Sequence, residues 1–424
     1  MKLPSEWEMK TLGELGTCHI GLTYKPDNVV SEGGTLVLRS SNIQQSRLVF
    51  DDNVFVNIEV PSKLKVCYGD ILICVRNGSR SLIGKSAVIE QEHAIENLTF
   101  GAFMSVYRTD HHDYVRHLFH SDMYYRQIRN NLGATINQIT NKNLNNFTFP
   151  FPKSSAERNK ISEVLSTVDK KIDLIDQKIA ETEKLKTGLM QKLFSEGVGV
   201  QDENGNWQPH TEFYLLPTGE YPQAWQPKTL NDVCEKIGDG IHTTPKYVED
   251  SEYRFVNGNN IKNGKLVITK KTKCVSKNEY DKHKKELSLD TILLSINGTI
   301  GSLAYYDGSS IVLGKSAAYL SPKEMIQKEF LYYYLSTSNV SKWFAMGLTG
   351  TTIKNLSLKT IRNTPIAIPH LKEQAAITSI LTEVDKKVAL LKAQKHETQQ
   401  LKKGLMQKLL TGEWRVPLEE TEAA

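Results

Sequence analysis

Three clusters of polar side chains recur in this sequence at matching places in its two halves. In the first half they are Arg39-Ser40-Ser41-Asn42 with Gln44-Gln45, then Arg76-Asn77 with Ser79-Arg80-Ser81, then Thr135 with Asn137-Gln138. In the second half they are Asn257-Gly258-Asn259-Asn260 with Lys262, then Asn297 with Thr299, then Thr351-Thr352 with Lys354-Asn355. That half adds His242-Thr243-Thr244 and a lysine cluster from Lys270 to Lys285 that includes Lys284. Side chains of these types read base edges in duplex DNA. Arg forks onto guanine and Asn or Gln onto adenine, with Lys and Ser/Thr in support. One polar loop alone is simply solvated. Here the same three positions are polar twice over and differ in content, as two readers of different sequences would.

Other chemistry is missing or mimicked. Gly84-Lys85-Ser86 and Gly314-Lys315-Ser316 end like a phosphate-binding loop, but the first glycine of G-x-x-x-x-G-K-S/T is replaced by Ser79 and Ser309. Backbone N–H groups cradle phosphate only at the right loop length, so no nucleotide site is expected. His111, His112, His117 and His120 cluster, yet Tyr333 and Ser336 occupy the places of His117 and His120 in the second half; surface or interface histidines are expected rather than metal ligands. No G-x-S-x-G, H-E-x-x-H or adenine-methylating D/N-P-P-Y/F segment occurs. No catalytic residue and no bound metal are expected of this chain.

The elements that must position these groups are themselves duplicated. Gly188-Leu-Met-Gln-Lys-Leu193 returns letter for letter as Gly404-Leu-Met-Gln-Lys-Leu409. A nearly constant offset also aligns Trp7 and Lys10-Thr11-Leu12 with Trp225 and Lys228-Thr229-Leu230, Asn42-Ile43 with Asn260-Ile261, and Asn77-Gly78 with Asn297-Gly298. Val168-Asp169-Lys170-Lys171 aligns with Val384-Asp385-Lys386-Lys387 in the same way. Short β-like runs such as Leu36–Leu38, Ile71–Val75, Ala87–Ile89, Ile292–Ile296 and Ile311–Leu313 alternate with turn residues, with Asn77-Gly78 a turn signal. Helical patches fall at 114–130 and 330–344, and each half closes on a Pro-bearing extended edge, Phe147–Pro152 or Thr364–Pro369.

A long helix with a coiled-coil seam follows each edge. Ile161, Leu165, Val168, Ile172, Ile175 and Ile179 lead to Thr182, after which Leu185, Leu189 and Leu193 continue with a shift in phase. Ile377, Leu381, Val384, Val388 and Leu391 continue past Thr398 to Leu401, Leu405 and Leu409. Two matching seams in one chain can pack on each other, and antiparallel packing would hold the two modules apart over about 50 Å, against about 34–36 Å for one turn of B-DNA. Gly188 and Gly404 sit inside otherwise good helix, each costing about 1 kcal/mol relative to Ala. Their repetition suggests a close helix approach or a docking point, with Met190 and Met406 beside them.

Composition sets the outer limits. A chain of 424 residues with 39% hydrophobic and 24% charged residues is globular and multidomain. The formal charge of +5 suits nucleic acid only weakly. Five cysteines without a C-x-x-C pair read as reduced thiols. With no apolar run near the about 20 residues needed to span a bilayer, a cytoplasmic protein without a membrane partner is expected.

The architecture resembles the DNA-specificity subunit of type I restriction-modification systems. Glu6-Trp7-x-x-Lys10-Thr11-Leu12 and Ala224-Trp225-x-x-Lys228-Thr229-Leu230 open its recognition domains, and Leu165–Lys171 and Leu381–Lys387, each leading to Gly-Leu-Met-Gln-Lys-Leu, match its spacer helices. The resemblance implies an α+β chain with internal pseudo-two-fold symmetry, its parts being a first target-recognition domain (1–152), a spacer helix (153–196), a linker (197–224), a second recognition domain (225–369), a second spacer helix (370–412) and a C-terminal tail (413–424), of which Leu418–Ala424 is expected to fray. It implies that each mixed α/β domain reads half of a gapped asymmetric site. The helices, packed as an antiparallel coiled coil, would set the gap and dock two methyltransferase subunits, Gly188, Met190, Gly404 and Met406 being the docking candidates. Restriction subunits would join, and S-adenosylmethionine, ATP and magnesium would belong to those partners. Two other readings are a non-catalytic protein-interaction scaffold with a duplicated binding domain, and an enzyme with an unrecognised site.

Overall fold

The apolar runs between turn residues pair into the same sheets twice over. The structure, a computed structural model, describes residues 3–94, 97–133, 137–350 and 354–417. It divides into a first unit of residues 1–177 and 392–424 and a second of residues 178–391, and each unit includes part of both long helices. In unit one Thr17–Ile20, Met104–Arg108, Ile71–Cys74 and Ser86–Val88 form an antiparallel sheet in that order. Leu98–Phe100, Thr35–Leu38, Phe55–Val56 and Val29–Val30 form another, in which the first two strands run parallel. Trp7–Thr11 pairs with Thr148–Pro152, the proline-bearing edge.

Unit two keeps this order with Cys234–Asp239, Ala317–Pro322, Ile292–Ser295 and Leu303–Tyr305, and again with Ile311–Leu313, Arg254–Val256, Cys274–Val275 and Tyr247–Val248. Gln226–Thr229 pairs with Pro365–Ile368 as its closing edge. The two helical patches are each broken in the middle, into His112–Leu118 and Asp122–Asn131 and into Lys328–Leu335 and Ser338–Met346. Hydroxyls cause both breaks. Ser121 Oγ accepts from Tyr124 N and Thr337 Oγ1 from Val340 N, each capping a new helix.

The long helices are Ser155–Leu193 and Leu371–Leu409. In unit one they run antiparallel, because Asp169 meets Lys402 and, further along, Asp176 meets Lys395, each at 2.6 Å. In unit two Lys186 meets Asp385 at 2.6 Å. The Asp of each repeated Val-Asp-Lys-Lys thus takes the Lys that precedes the repeated Gly-Leu-Met-Gln-Lys-Leu of the other helix. Ile161, Leu165, Ile172, Ile175, Ile377, Leu381, Val388 and Leu391 are buried as the seam requires.

Beyond the two threonines the seam differs from expectation. Leu185 and Leu401 are 56% and 54% exposed. The helices turn Thr398 and the ion-paired lysines toward the partner helix instead. A Cβ at Gly188 or Gly404 would meet nothing within 4 Å, so neither glycine marks a close helix approach. Met406 is core, packed with Ile161 and Leu165, and Met190 lies half-buried against the unit-two core; neither methionine offers a free docking surface.

Each long helix starts with a buried glutamate that gathers three parts of its unit. Glu157 accepts from the Trp7 indole at 3.1 Å and from Arg415 Nη2 at 2.9 Å, Arg415 following the end of the other helix. Glu373 accepts from the Trp225 indole at 2.9 Å, from Val198 N and Gly199 N at 2.9 and 3.0 Å, and faces His210 Nε2 at 3.0 Å. A glycine just past each helix leaves the room this clasp needs, the Glu373 carboxylate lying nearest at Gly197 and Pro4 nearest at Gly412. Gly197 and Gly412 have φ of +73° and +72°, and a Cβ there would come within 2.9 Å of Trp225 and of Pro4, with Trp7 next at 3.3 Å.

These contacts correct one expectation. The supposed linker, 197–224, is folded into hairpins Val200–Gln201/Trp207–Gln208 and Phe213–Leu216/Gly219–Pro222, with Tyr221 buried in the unit-two core. In the tail Arg415 is tied to Glu157, and the expected fraying falls on residues 418–424, which lie outside those described. Replacing Glu157 with Ala strands the Trp7 N–H and the Arg415 guanidinium, and should cost unit one about 2–4 kcal/mol. Glu373→Ala should do the same to unit two. Chemical denaturation measures both, and a change under about 0.5 kcal/mol would count the clasp as incidental.

Candidate nucleic-acid interface

The three polar loops of unit one converge because strand pairing brings their ends together. Arg76, after strand Ile71–Cys74, bridges to Gln138, and Asn77 N donates to Asn137 O. Asn77 Nδ2 donates to Ser40 Oγ at 2.9 Å, and Asn137 Nδ2 to Gly78 O at 2.9 Å. Lys85 Nζ donates to Ile43 O at 2.9 Å, so the phosphate-loop mimic is a tie between loops. Burial lowers the pKa of that amine. The Asn77-Gly78 pair is not a tight hairpin turn, since a loop containing the short turn Arg80–Leu82 separates the two strands.

Unit two builds the same cluster. Asn297 bridges to Asn355, and with its amide turned to suit its neighbours Nδ2 donates to Lys354 O and Asn355 Oδ1. Ser316 Oγ donates to Asn257 Oδ1 at 3.0 Å and accepts from Gly258 N. Ile241, just before His242, bridges to Gly314, which places the His242 loop at the same site. The strand register equates Arg76 with Asn297, since Val75 N donates to Phe103 O as Ile296 N does to Ser316 O. The alignment of Asn77-Gly78 with Asn297-Gly298 is therefore one residue out.

Burial sorts the candidates. Asn42 is 1% exposed, its Oδ1 accepting from Arg39 N and its Nδ2 donating to Val49 O, both at 2.9 Å. Asn260 repeats this with Asn257 N and Val267 O, both at 3.0 Å. Both amides are spent on loop structure, so neither is a base reader. They hold a hairpin whose tip, Gln45-Ser46 or Asn263-Gly264, has positive φ at both residues, the geometry of a type I′ turn. The Asn77, Asn137 and Asn297 amides are likewise engaged within the loops.

Arg39 is bound to Asp52 at 2.8 Å, and Ser41 buries its hydroxyl. Gln44, Arg76, Arg80, Thr243, Asn259, Lys262, Thr299 and Lys354 are exposed. His242 is exposed beside Asp239 at 2.9 Å. Lys284 caps the separate helix Lys277–His283, paired with Asp281 and lying over Tyr280, on an element apart from the three loops. Thr135 and Thr352 fall outside the described residues.

One member of the cluster went unseen in the sequence. Phe103 is 57% exposed, with the Arg76 guanidinium 5.0 Å from its ring centroid. An apolar residue between a glycine and a strand reads as core, so only its exposure gives it away.

Among the described residues no group of three or more His, Cys, Asp and Glu side chains is placed to hold a metal ion. His117 is fully buried rather than on the surface, its Nε2 3.4 Å from Ser166 Oγ on the long helix. Burial, then the charges of Lys402 and Arg116, pushes His120 down to about 3.

The comparisons with known proteins concern this same architecture. Residues 4–184 and 222–400 match the family described as type I restriction modification DNA specificity domain. A putative type I restriction enzyme MjaX specificity subunit from Methanocaldococcus jannaschii is 26% identical over 98% of this chain and 95% of its own. The type I restriction enzyme MjaVIII specificity subunit of that organism is 28% identical over 67% of this chain and 66% of its own. A chain solved in work on complex assembly and conformational transition of the type I R-M system has the same fold, with a TM-score of 0.58 at 18% identity over 98% of this chain and 100% of that one.

Two outcomes follow from the site. Asn42→Ala leaves a buried N–H and C=O unpaired and should destabilise unit one by about 1–3 kcal/mol, whereas Arg80→Ala should stay within about 0.5 kcal/mol of wild type in the same denaturation measurement. His120 is neutral when folded and has an ordinary pKa near 6.5 when unfolded. Its contribution is therefore intact above about pH 6.5 and is lost at about 1.4 kcal/mol per pH unit as pH falls toward its folded pKa. A His120→Gln variant whose acid sensitivity between pH 7 and 5 equals that of wild type would contradict this.

Proposed function

Because the chain belongs to the family of type I restriction-modification DNA specificity subunits, we propose that each unit reads one half of a gapped, asymmetric duplex site through its three-loop cluster. One observation carries this reading: the two clusters share a strand register and differ in the side chains they carry at matched positions. Arg76 and Phe103 in one stand where Asn297 and Ser316 stand in the other. A common scaffold with different hydrogen-bonding groups suits two different base sequences.

In this reading the paired helices set the unread gap and dock two methyltransferase subunits. The faces that stay apolar and exposed support it: Leu174 and Leu401 with Gly404 in unit one, and Leu390 and Leu185 with Gly188 in unit two. Docking thus rests on these leucines and glycines rather than on Met190 and Met406. Adenine methylation and ATP-dependent cleavage, with S-adenosylmethionine, ATP and magnesium, belong to the methyltransferase and restriction partners, this chain contributing specificity without catalysis. Among the described residues no helix is long and apolar enough to cross a membrane.

The test exchanges residues 7–152 for the first domain of another family member and maps methylated adenines in a host carrying the complete system. One half-site should change and the other should persist. Change in both, or in neither, would refute the modular assignment.

A further inference from the structure

Arg76 is held by its backbone on two sides while its side chain stays free. Arg76 N donates to Phe103 O at 3.1 Å, as does Val75 N, and the residue bridges to Gln138 across the adjoining loop. Its guanidinium lies over the exposed Phe103 ring, and no ion pair to Arg76 is found among the described residues. The cation–π contact restricts the rotation of the guanidinium, and the exposed Arg76 keeps its N–H donors for an incoming acceptor. Around it the Asn77 and Asn137 amides are committed to Ser40 and Gly78.

A planar fork of donors needs two adjacent acceptors. In the major groove the guanine edge offers N7 and O6, whereas adenine offers one acceptor beside a donor. Resting on the proposed reading of the loop clusters as DNA readers, we propose that Arg76, seated on Phe103, reads a guanine in the half-site of unit one. The register gives unit two no such pair. Asn297 occupies the place of Arg76 with its amide turned inward, and Ser316 occupies that of Phe103.

The experiment uses the complex assembled with its methyltransferase partner, on duplexes carrying the mapped site and each single-base change. Arg76→Ala should lower affinity about 10–100-fold for the cognate site and abolish discrimination at one G·C pair of the first half-site. Replacing that guanine with 7-deazaguanine should weaken wild type and cost Arg76→Ala nothing further. Phe103→Ala should weaken discrimination at the same pair to a smaller degree. Unchanged discrimination in the second half-site shows that the variants are folded.

A uniform loss over all sequences with a shallower salt dependence would mean a phosphate contact and overturn the proposal. So would unaltered discrimination, or a first half-site without guanine on either strand. If the wild-type complex itself fails to distinguish sequences, the DNA-reader reading falls, a result visible before any variant is made.

Discussion

Each unit depends on a carboxylate that water does not reach. Glu157 and Glu373 stand in the first turn of the long helices, where the helix dipole favours negative charge, and both are almost wholly buried. A buried carboxylate is tolerable only when donors surround it. The donors come from the tryptophan that opens the module and from the chain leaving the opposite helix, while the carboxylate itself stands on its own helix's first turn. Neutralising one charge therefore orients the recognition module, starts one helix and stops the other.

The same economy governs the helices. Their seam is apolar only in part, and where it weakens the duplicated Asp and Lys take over in reciprocal pairs. Half-exposed ion pairs of this kind contribute about 0–1 kcal/mol each. Their value lies in register, because a slip of the antiparallel helices would break the reciprocal pairing of the two duplicated motifs. That duty explains why Val-Asp-Lys-Lys and Gly-Leu-Met-Gln-Lys-Leu are repeated so closely while the loops between them are not.

Periodicity made the scaffold legible, and matched polarity located the loop clusters. Side-chain direction was not legible. Asn42 and Arg76 look equally suited to base reading in sequence, yet one amide is folded inward to close a turn and the other residue projects from a ring. Leu185 and Leu401 look like seam residues but fall one position short of the heptad count, which runs on from Thr182 and Thr398 to the ion-paired Lys186 and Lys402, and so both leucines lie outside. Trp7 and Trp225 were visible as landmarks, though nothing local to them pointed to glutamates far along the chain.

By itself the sequence determined the duplication, the two long helices and the loop positions where the halves disagree, because period, spacing and repetition are properties of the chain alone. Only the tertiary structure decided which polar groups remain free. Burial and hydrogen-bond partners come from segments far apart in sequence, and it is they that spend Asn42, Asn260 and Asn297 on the fold while leaving Arg76 poised on Phe103.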